Sequence, residues 1–381
     1  MLDYDQSEVQ LFKDNINKFI DKEIEPYYDQ WENEGQFPRE LWNKLGEQGL
    51  LCIDIPVEYG GTGAPFIFAM AALEAFSERG YCGVSGNMAV HSDIVAHYIL
   101  NSGTEEQKRE YLPGMASGEI VGAVAMTEPA AGSDLQGIKT KAKKDGDHFI
   151  INGSKTFISN GQHCDIVITV AITNPYQPGS RGTSLLIVDT KTEGFERGRN
   201  LEKIGLHSAD TSELFYGDVK IHESNLLGPL DGGFKVLMNE LARERLSLAI
   251  IAVAASEASL QWTLDYTAER KAFGKPINTL QNTRFKLADM ATEIKIHRTF
   301  VDKCIEDFEN GTLDTTTVSM AKLSTTELQF RVADNCLQLF GGYGYMKEYP
   351  ISRAFVDARV QRIYGGTSEI MKEIISKDIC K

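Results

Sequence analysis

Along the first 120 residues, apolar side chains recur at helical spacing. Val9, Phe12, Ile16, Phe19 and Ile20 form one stripe and predict a helix over Ser7 to Lys22. Pro26 and Pro38 then punctuate the chain. The turn-rich run Pro56-Val57-Glu58-Tyr59-Gly60-Gly61-Thr62-Gly63 precedes a small-residue helix around Ala69 to Arg79. Thr104-Glu105-Glu106-Gln107 reads as a capping box, with Gly118 closing the helix it opens.

Near Gly122 the pattern shifts to short β-type runs at Phe149–Ile151, Thr156–Ile158, Ile166–Val170 and Ser184–Val188. Asp145-Gly146, Asn152-Gly153 and Asn160-Gly161 read as turns between them, so a small antiparallel barrel or sandwich is predicted. Beyond Gly232-Gly233 the period is helical again. A helix without proline is predicted from Phe234 to near Arg270, about 55 Å long at ~1.5 Å per residue. Others are predicted at Leu280 to Asn310, Thr315 to Phe340 and Glu369 to Asp378. The chain thus divides into a helical domain (1–121), a β domain (122–231) and a helical bundle (232–381), an α+β architecture.

Within the long helix one stripe reads Leu237, Leu241, Glu244, Leu248, Ile251. A carboxylate on a core-facing stripe is costly unless it is paired, or raised in pKa and used. The helix alone leaves two readings open: a partly exposed Glu244 paired with Arg243 or Arg245, or a catalytic carboxylate. Glu240, one turn earlier, is the other candidate of the second kind.

Composition narrows the function classes. The net charge of −15 over 381 residues argues against non-specific nucleic-acid binding. The six cysteines are scattered with no C-x-x-C pair, which points to reduced, structural thiols and to no metal site. The acidic opening Met1-Leu2-Asp3-Tyr4-Asp5 has no signal-peptide character, and no apolar run approaches the ~18 residues of a membrane span. A cytoplasmic protein is expected, or a mature organelle form.

Five motifs occur in order: Ala125-Met126-Thr127-Glu128-Pro129-Ala130-Ala131-Gly132-Ser133-Asp134, Asn152-Gly153-Ser154-Lys155-Thr156-Phe157-Ile158-Ser159-Asn160-Gly161, Arg270-Lys271-Ala272-Phe273-Gly274-Lys275, Gln338-Leu339-Phe340-Gly341-Gly342-Tyr343-Gly344-Tyr345 and Tyr364-Gly365-Gly366-Thr367-Ser368-Glu369-Ile370. At these separations they resemble the acyl-CoA dehydrogenase family over essentially the whole chain, nearest to its long-chain members. Ala130 replaces a more usual Gly, and Phe340 stands where His is frequent.

The resemblance implies an N-terminal helical domain, a middle antiparallel β-barrel domain and a C-terminal four-helix bundle, with FAD held between the last two. Val124, Ala125, Met126, Thr127 and Ser133 would lie along the flavin, Ser133 also touching the acyl-CoA. Phe157, Ile158 and Ser159 would pack against the ring system. Arg270, Phe273 and Gln281 would hold the pyrophosphate and adenine side. Gln338, Leu339, Phe340, Gly341 and Gly342 would reach the cofactor of a neighbouring subunit in a homotetramer or dimer. Thr367, Ser368 and Glu369 open the last helix, where the Thr367 hydroxyl serves equally as an N-cap or a cofactor contact.

In many members the loop before the last helix reads Tyr-Glu-Gly-Thr, and its Glu removes the substrate's α-proton. Here it reads Tyr364-Gly365-Gly366-Thr367. Long-chain and isovaleryl-type members resemble this chain, and in them the base precedes an Arg-Leu on the long helix; that position is Glu244, followed by Arg245-Leu246. The implied chemistry is α,β-dehydrogenation of a fatty acyl-CoA to the trans-2-enoyl-CoA, with the β-hydride passing to flavin N5 and electron-transferring flavoprotein as acceptor. Ala242, Arg243, Arg245, Gly365 and Gly366 would line the substrate, with Arg245 facing its CoA moiety. Two other readings keep the fold: a dehydrogenase of carrier-protein-bound acyl or aminoacyl thioesters, and a binding subunit without activity.

Overall fold

The computed structural model describes residues 6–177 and 179–381; the acidic opening Met1–Asp5 lies outside them. The N-terminal domain comprises α1 (Gln6–Glu23), α2 (Tyr28–Glu34), α3 (Glu40–Glu47), α4 (Phe66–Glu78) and α5 (Cys82–Met88), a π-helical stretch Ala89–Val95, α6 (Ala96–Ser102) and α7 (Glu105–Ser117). The α7 capping box is complete in both directions: Thr104 Oγ1 accepts the Gln107 N–H and Gln107 Oε1 accepts the Thr104 N–H.

The middle domain is one mixed sheet built from β1 (Gly122–Ala125), β2 (Lys141–Asp145), β3 (His148–Ser159), β4 (Ile166–Ile172), β5 (Thr183–Asp189), β6 (Phe195–Asn200), β7 (Thr211–His222) and β8 (Leu226–Leu227). Strand order is β6-β7-β3-β2-β4-β5-β8, with β1 alongside β4. Two expectations need correction. The sheet is not wholly antiparallel, because β1 pairs parallel to β4 from Gly122↔Ile166 to Ala125↔Thr169. The chain between them is long enough for the crossover a parallel pair requires. Asn152-Gly153 is not a hairpin turn either. Strand β3 runs straight through it, and its register against β7 slips between Ile151 and Gly153. A Cβ at Gly153 would lie 2.4 Å from Thr140 Oγ1, so the glycine admits a close crossing within a bulge.

The C-terminal domain opens with α8 (Gly233–Glu269), then a short hairpin of β9 (Lys271–Ala272) and β10 (Lys275–Pro276), α9 (Gln281–Glu309), α10 (Thr315–Phe340), α11 (Pro350–Gln361) and α12 (Ser368–Ile379). Helix α11 has no counterpart in the apolar pattern, since its buried face carries Asp357 and Gln361 beside Ile351 and Ala358. Helices α8, α9 and α10 pack on one another, with α11 and α12 against α10 and α4 against α8. By length and hydropathy α8 could cross a bilayer, but 78% of its most apolar window is buried inside the protein. Partners on several sides, not lipid, explain its apolar circumference. One continuous core joins Ile16, Phe76, Ile250 and Val301, so N- and C-terminal helices fold around the same interior.

Candidate active site

Glu244 lies in the middle of this interior. It is 5% exposed, and the Tyr98 hydroxyl on α6 donates to its Oε1. Burial raises its pKa to about 7, against the opposing pull of Tyr98 and Arg245 and with a small push from Glu240. Glu240, half-buried, accepts the Asn101 amide at 3.0 and 3.1 Å, and burial raises its pKa as well. Of the two carboxylates on this helix, Glu244 is the more fully desolvated.

The loop Gly365-Gly366 comes to the same helix. A Cβ on Gly365 would lie 2.3 Å from Leu248 Cδ1, one turn beyond Glu244. Both glycines have positive φ, +61° and +97°, a conformation favouring residues without a side chain. Beneath the loop, Lys322 of α10 is fully buried and donates to the Gly366 carbonyl at 2.6 Å. Burial and the nearby Arg245 depress its pKa to about 8.

Two arginines flank Glu244 on the helix. Arg243 is 6% exposed and clamped by Asp54 and by Asp93 at 3.2 Å. Its guanidinium also covers the rings of Phe66 and Phe308, centroids 4.7 and 5.7 Å away. Burial pushes Asp93 up to about 7 despite Arg243. Through Nη2 this cation is engaged by two carboxylates of the fold, while its Nε has no partner. Arg245 is 3% exposed and donates through Nη1 to Ser319 Oγ at 3.2 Å. Its Nε is buried without a hydrogen-bond partner. Ala242 remains half-buried beside them.

A second set of residues surrounds the loop after β1, which carries Met126, Thr127 and Ser133. Buried Lys155 of β3 pairs with Glu128 Oε1 at 2.9 Å and donates to the Met126 carbonyl at 3.0 Å. Glu128 also accepts the Lys139 and Thr140 amides at 2.6 and 3.0 Å, and the Thr127 carbonyl accepts the Thr156 N–H at 2.9 Å. The pair therefore staples this loop to β3. Next to it, Phe157 sits at φ +58° and is 68% exposed, where the β3–β7 register slips. A large aromatic ring turned outward on strained backbone, between buried Thr156 and Ile158, suits a planar cofactor stacked upon it. Ser159 comes next, half-buried, while Val124 and Ala125 belong to β1 beneath the loop.

The third set lies at the far end of the bundle. Arg270, Leu339, Phe340, Gly341 and Gly342 share a cavity of about 500 Å³ with Tyr266, Tyr343 and Met346. The Arg270 guanidinium stands 5.3 Å over the Tyr343 ring, and a Cβ on Gly341 or Gly342 would meet nothing within 4 Å. A planar cation beside open glycine backbone suits phosphate oxygens. Phe273 occupies the tip of the β9–β10 hairpin and is 90% exposed. Gln281 is exposed at the start of α9, and Gln338 ends α10 nearby. Thr367 caps α12 by accepting the Ile370 N–H at 3.3 Å, and Glu369 is exposed in its first turn. Ser368 is buried with its hydroxyl donated to Glu327 at 2.7 Å, so it serves the bundle.

Sequence reasoning missed Tyr98, Lys322 and the Lys155–Glu128 pair. Lys155 and Glu128 both stand inside the five motifs, where a lysine and a glutamate at strand and loop positions could have been matched as partners. Tyr98 gave no signal, because 146 residues separate it from Glu244.

Comparison with known proteins concerns the chain as a whole. Family models describing the N-terminal, middle and C-terminal domains of acyl-CoA dehydrogenases match residues 6–119, 123–219 and 231–380. The mitochondrial long-chain specific acyl-CoA dehydrogenase of Sus scrofa is 48% identical over 375 residues, covering 98% of this chain and 86% of that protein. The crystal structure of an acyl-CoA dehydrogenase from Geobacillus kaustophilus superposes with a TM-score of 0.97 at 46% identity, covering both chains completely. A glutaryl-CoA dehydrogenase from Mycobacterium smegmatis in complex with FADH2 superposes with a TM-score of 0.92 at 29% identity, over 99% of this chain and 95% of that one. With three domains matched in order and relatives of this identity covered over nearly their whole length, this chain belongs to the acyl-CoA dehydrogenases, FAD-dependent oxidoreductases of fatty acid metabolism.

Proposed function

We propose that the protein dehydrogenates a fatty acyl-CoA to its trans-2-enoyl-CoA, with Glu244 removing the α-proton. The observation that carries this reading is a desolvated carboxylate, raised to about 7, on the helix against which the carboxylate-free Gly365-Gly366 loop is pressed. A base with raised basicity in a dry interior is what abstraction next to a thioester carbonyl requires. FAD held there would supply the acceptor for the hydride leaving the β-carbon. Thr127, Phe157 and Ser159 would hold the flavin ring, with the Lys155–Glu128 pair fixing their loop. Gly365 and Gly366 would border the substrate and leave room for its acyl chain.

Arg270, Phe273, Gln281 and the segment Gln338–Gly342 would bind the nucleotide half. The cavity beside Gly341 is lined by C-terminal-domain residues alone among those described. That separation from the Thr127 loop supports a flavin shared between two copies in a homo-oligomer, with a tetramer as our reading. Electron-transferring flavoprotein is the acceptor we propose. The test is anaerobic mixing of Glu244→Gln with a panel of saturated acyl-CoAs. Wild-type flavin bleaches, and the variant stays oxidised; bleaching at the wild-type rate would falsify the base assignment.

A further inference from the structure

Glu244 has few polar neighbours. Tyr98 approaches from α6, Arg245 and Glu240 lie on its own helix, and these are the groups that bear on its charge. Arg245 turns its Nη1 toward Ser319, and Glu240 is held by Asn101. Among the described residues Tyr98 is the hydrogen-bond partner of the Glu244 carboxylate. Its ring is completely buried, so water does not compete for the hydroxyl.

Tyr98 is delivered by an anchored segment. It lies just beyond the π-helical stretch Ala89–Val95, which is fixed by its own polar side chains. His91 Nδ1 accepts the Gly122 N–H at 3.1 Å, which makes the ring donate through Nε2 to the Met115 carbonyl at 3.0 Å. Burial depresses the His91 pKa to about 4 and keeps that neutral tautomer. Ser92 Oγ accepts the Cys52 N–H at 3.0 Å, and Asp93 pairs with Arg243. One turn further on, His97 bonds Asp54, which also clamps Arg243. Consecutive residues of α8 are therefore held by one short segment: Arg243 through Asp93, and through His97 by way of Asp54, and Glu244 through Tyr98. π-Helical insertions of this kind recur at functional sites because they re-aim the side chains beyond them.

We propose that Tyr98 is a positioning residue for the dehydrogenation, its phenol hydrogen bond aiming the Glu244 carboxylate and favouring its ionised form. This rests on the reading of Glu244 as base. A donor bonded to the carboxylate favours the charged state over the protonated one and so opposes the effect of burial. The enzyme gains a base that is ionised near neutral pH while remaining far more basic than a solvated glutamate. Without the phenol the carboxylate would be more basic and less often ionised.

The test is the pH dependence of flavin bleaching by acyl-CoA in the FAD-loaded enzyme. Tyr98→Phe should move the rising limb upward by roughly one pH unit, lowering the rate below pH 7 about tenfold while the alkaline plateau stays within a few-fold of wild type. Incorporating 3-fluorotyrosine at position 98, a near-isosteric and stronger donor, should move the limb downward and carries the test alone if the phenylalanine variant loses FAD. A limb that moves in these opposite directions supports the proposal. A limb that stays put in both, or a rate reduced equally at every pH, overturns it. Glu244→Gln measured alongside separates the two readings: if it is inactive throughout, the base stands whatever Tyr98 does, and if it keeps its rate the base reading falls first.

Discussion

Gly365 is packed onto Leu248 so closely that a methyl group on it would lie 2.3 Å from Leu248 Cδ1, and Leu248 lies one helical turn beyond Glu244. Gly365→Ala therefore meets two penalties, a φ of +61° and a side chain in the way. We expect a loss of about 1–3 kcal/mol in unfolding free energy. Leu248→Ala should recover the steric part but not the backbone part. A double-mutant cycle on Gly365 and Leu248, read by thermal unfolding, checks this through a stabilising coupling between the two substitutions.

The raised pKa of Glu244 has a consequence for stability as well as rate. Its folded value near 7 exceeds the unfolded value of 4.5, so the native state binds more protons between them. The contribution to stability is present below pH 4.5 and is lost as pH rises through 7. Glu244→Gln cannot ionise and escapes that loss. At pH 8 the variant should be more stable than wild type by at most roughly 3 kcal/mol, and the advantage should vanish near pH 4.5. Denaturant melts of the apoproteins at both pH values decide it, and a pH-independent difference would count against the buried, raised carboxylate.

Lys155 and Glu128 form a buried pair behind the Thr127 loop, and burial lowers the lysine to about 8. Lys155→Met leaves the Glu128 charge to the Lys139 and Thr140 amides alone and frees the Met126 carbonyl. The local cost is about 3–5 kcal/mol. We expect FAD to be released on gel filtration and the FAD affinity of the variant to fall at least tenfold, with global folding by circular dichroism retained.

Arg243 separates a structural from a ligand-binding role. Arg243→Leu strands Asp93 in the interior and leaves Asp54 to His97 alone, and should destabilise by about 3–5 kcal/mol. Adding Asp93→Asn removes one stranded charge and should restore part of this. At a temperature where the variant is folded, KM for acyl-CoA should stay near the wild-type value. A KM raised tenfold with stability unchanged would return Arg243 to the substrate.

How far these features were legible in the sequence depended on how local their causes are. The capping box at Thr104 and Gln107 and the span of α10 arise from neighbours a few residues apart, and both were readable. Glu244 was visible because a charge breaks an aliphatic stripe. The bonding of its flanking arginines was not readable, since it is decided by Asp54, Asp93 and Ser319, which lie far away in the chain. Asn152-Gly153 has the composition of a hairpin turn, yet the crossing of Thr140 made it a bulge. Helix α11 was hidden because its buried positions are partly polar.

Helix α8 is buried against partners that lie on both sides of it in the sequence. Helix α4 is synthesised before it, but α10 is complete only at Phe340, while α8 ends at Glu269. At ~5–20 residues per second, the nascent chain holds a half-covered apolar rod for some seconds before the rest of its cover emerges. During that interval the helix has the length and hydropathy of a membrane segment and lacks the shielding that α10 later provides. Truncations that end between α8 and α10 should therefore be the most aggregation-prone forms of this protein, more so than those that remove the β domain's outer strands.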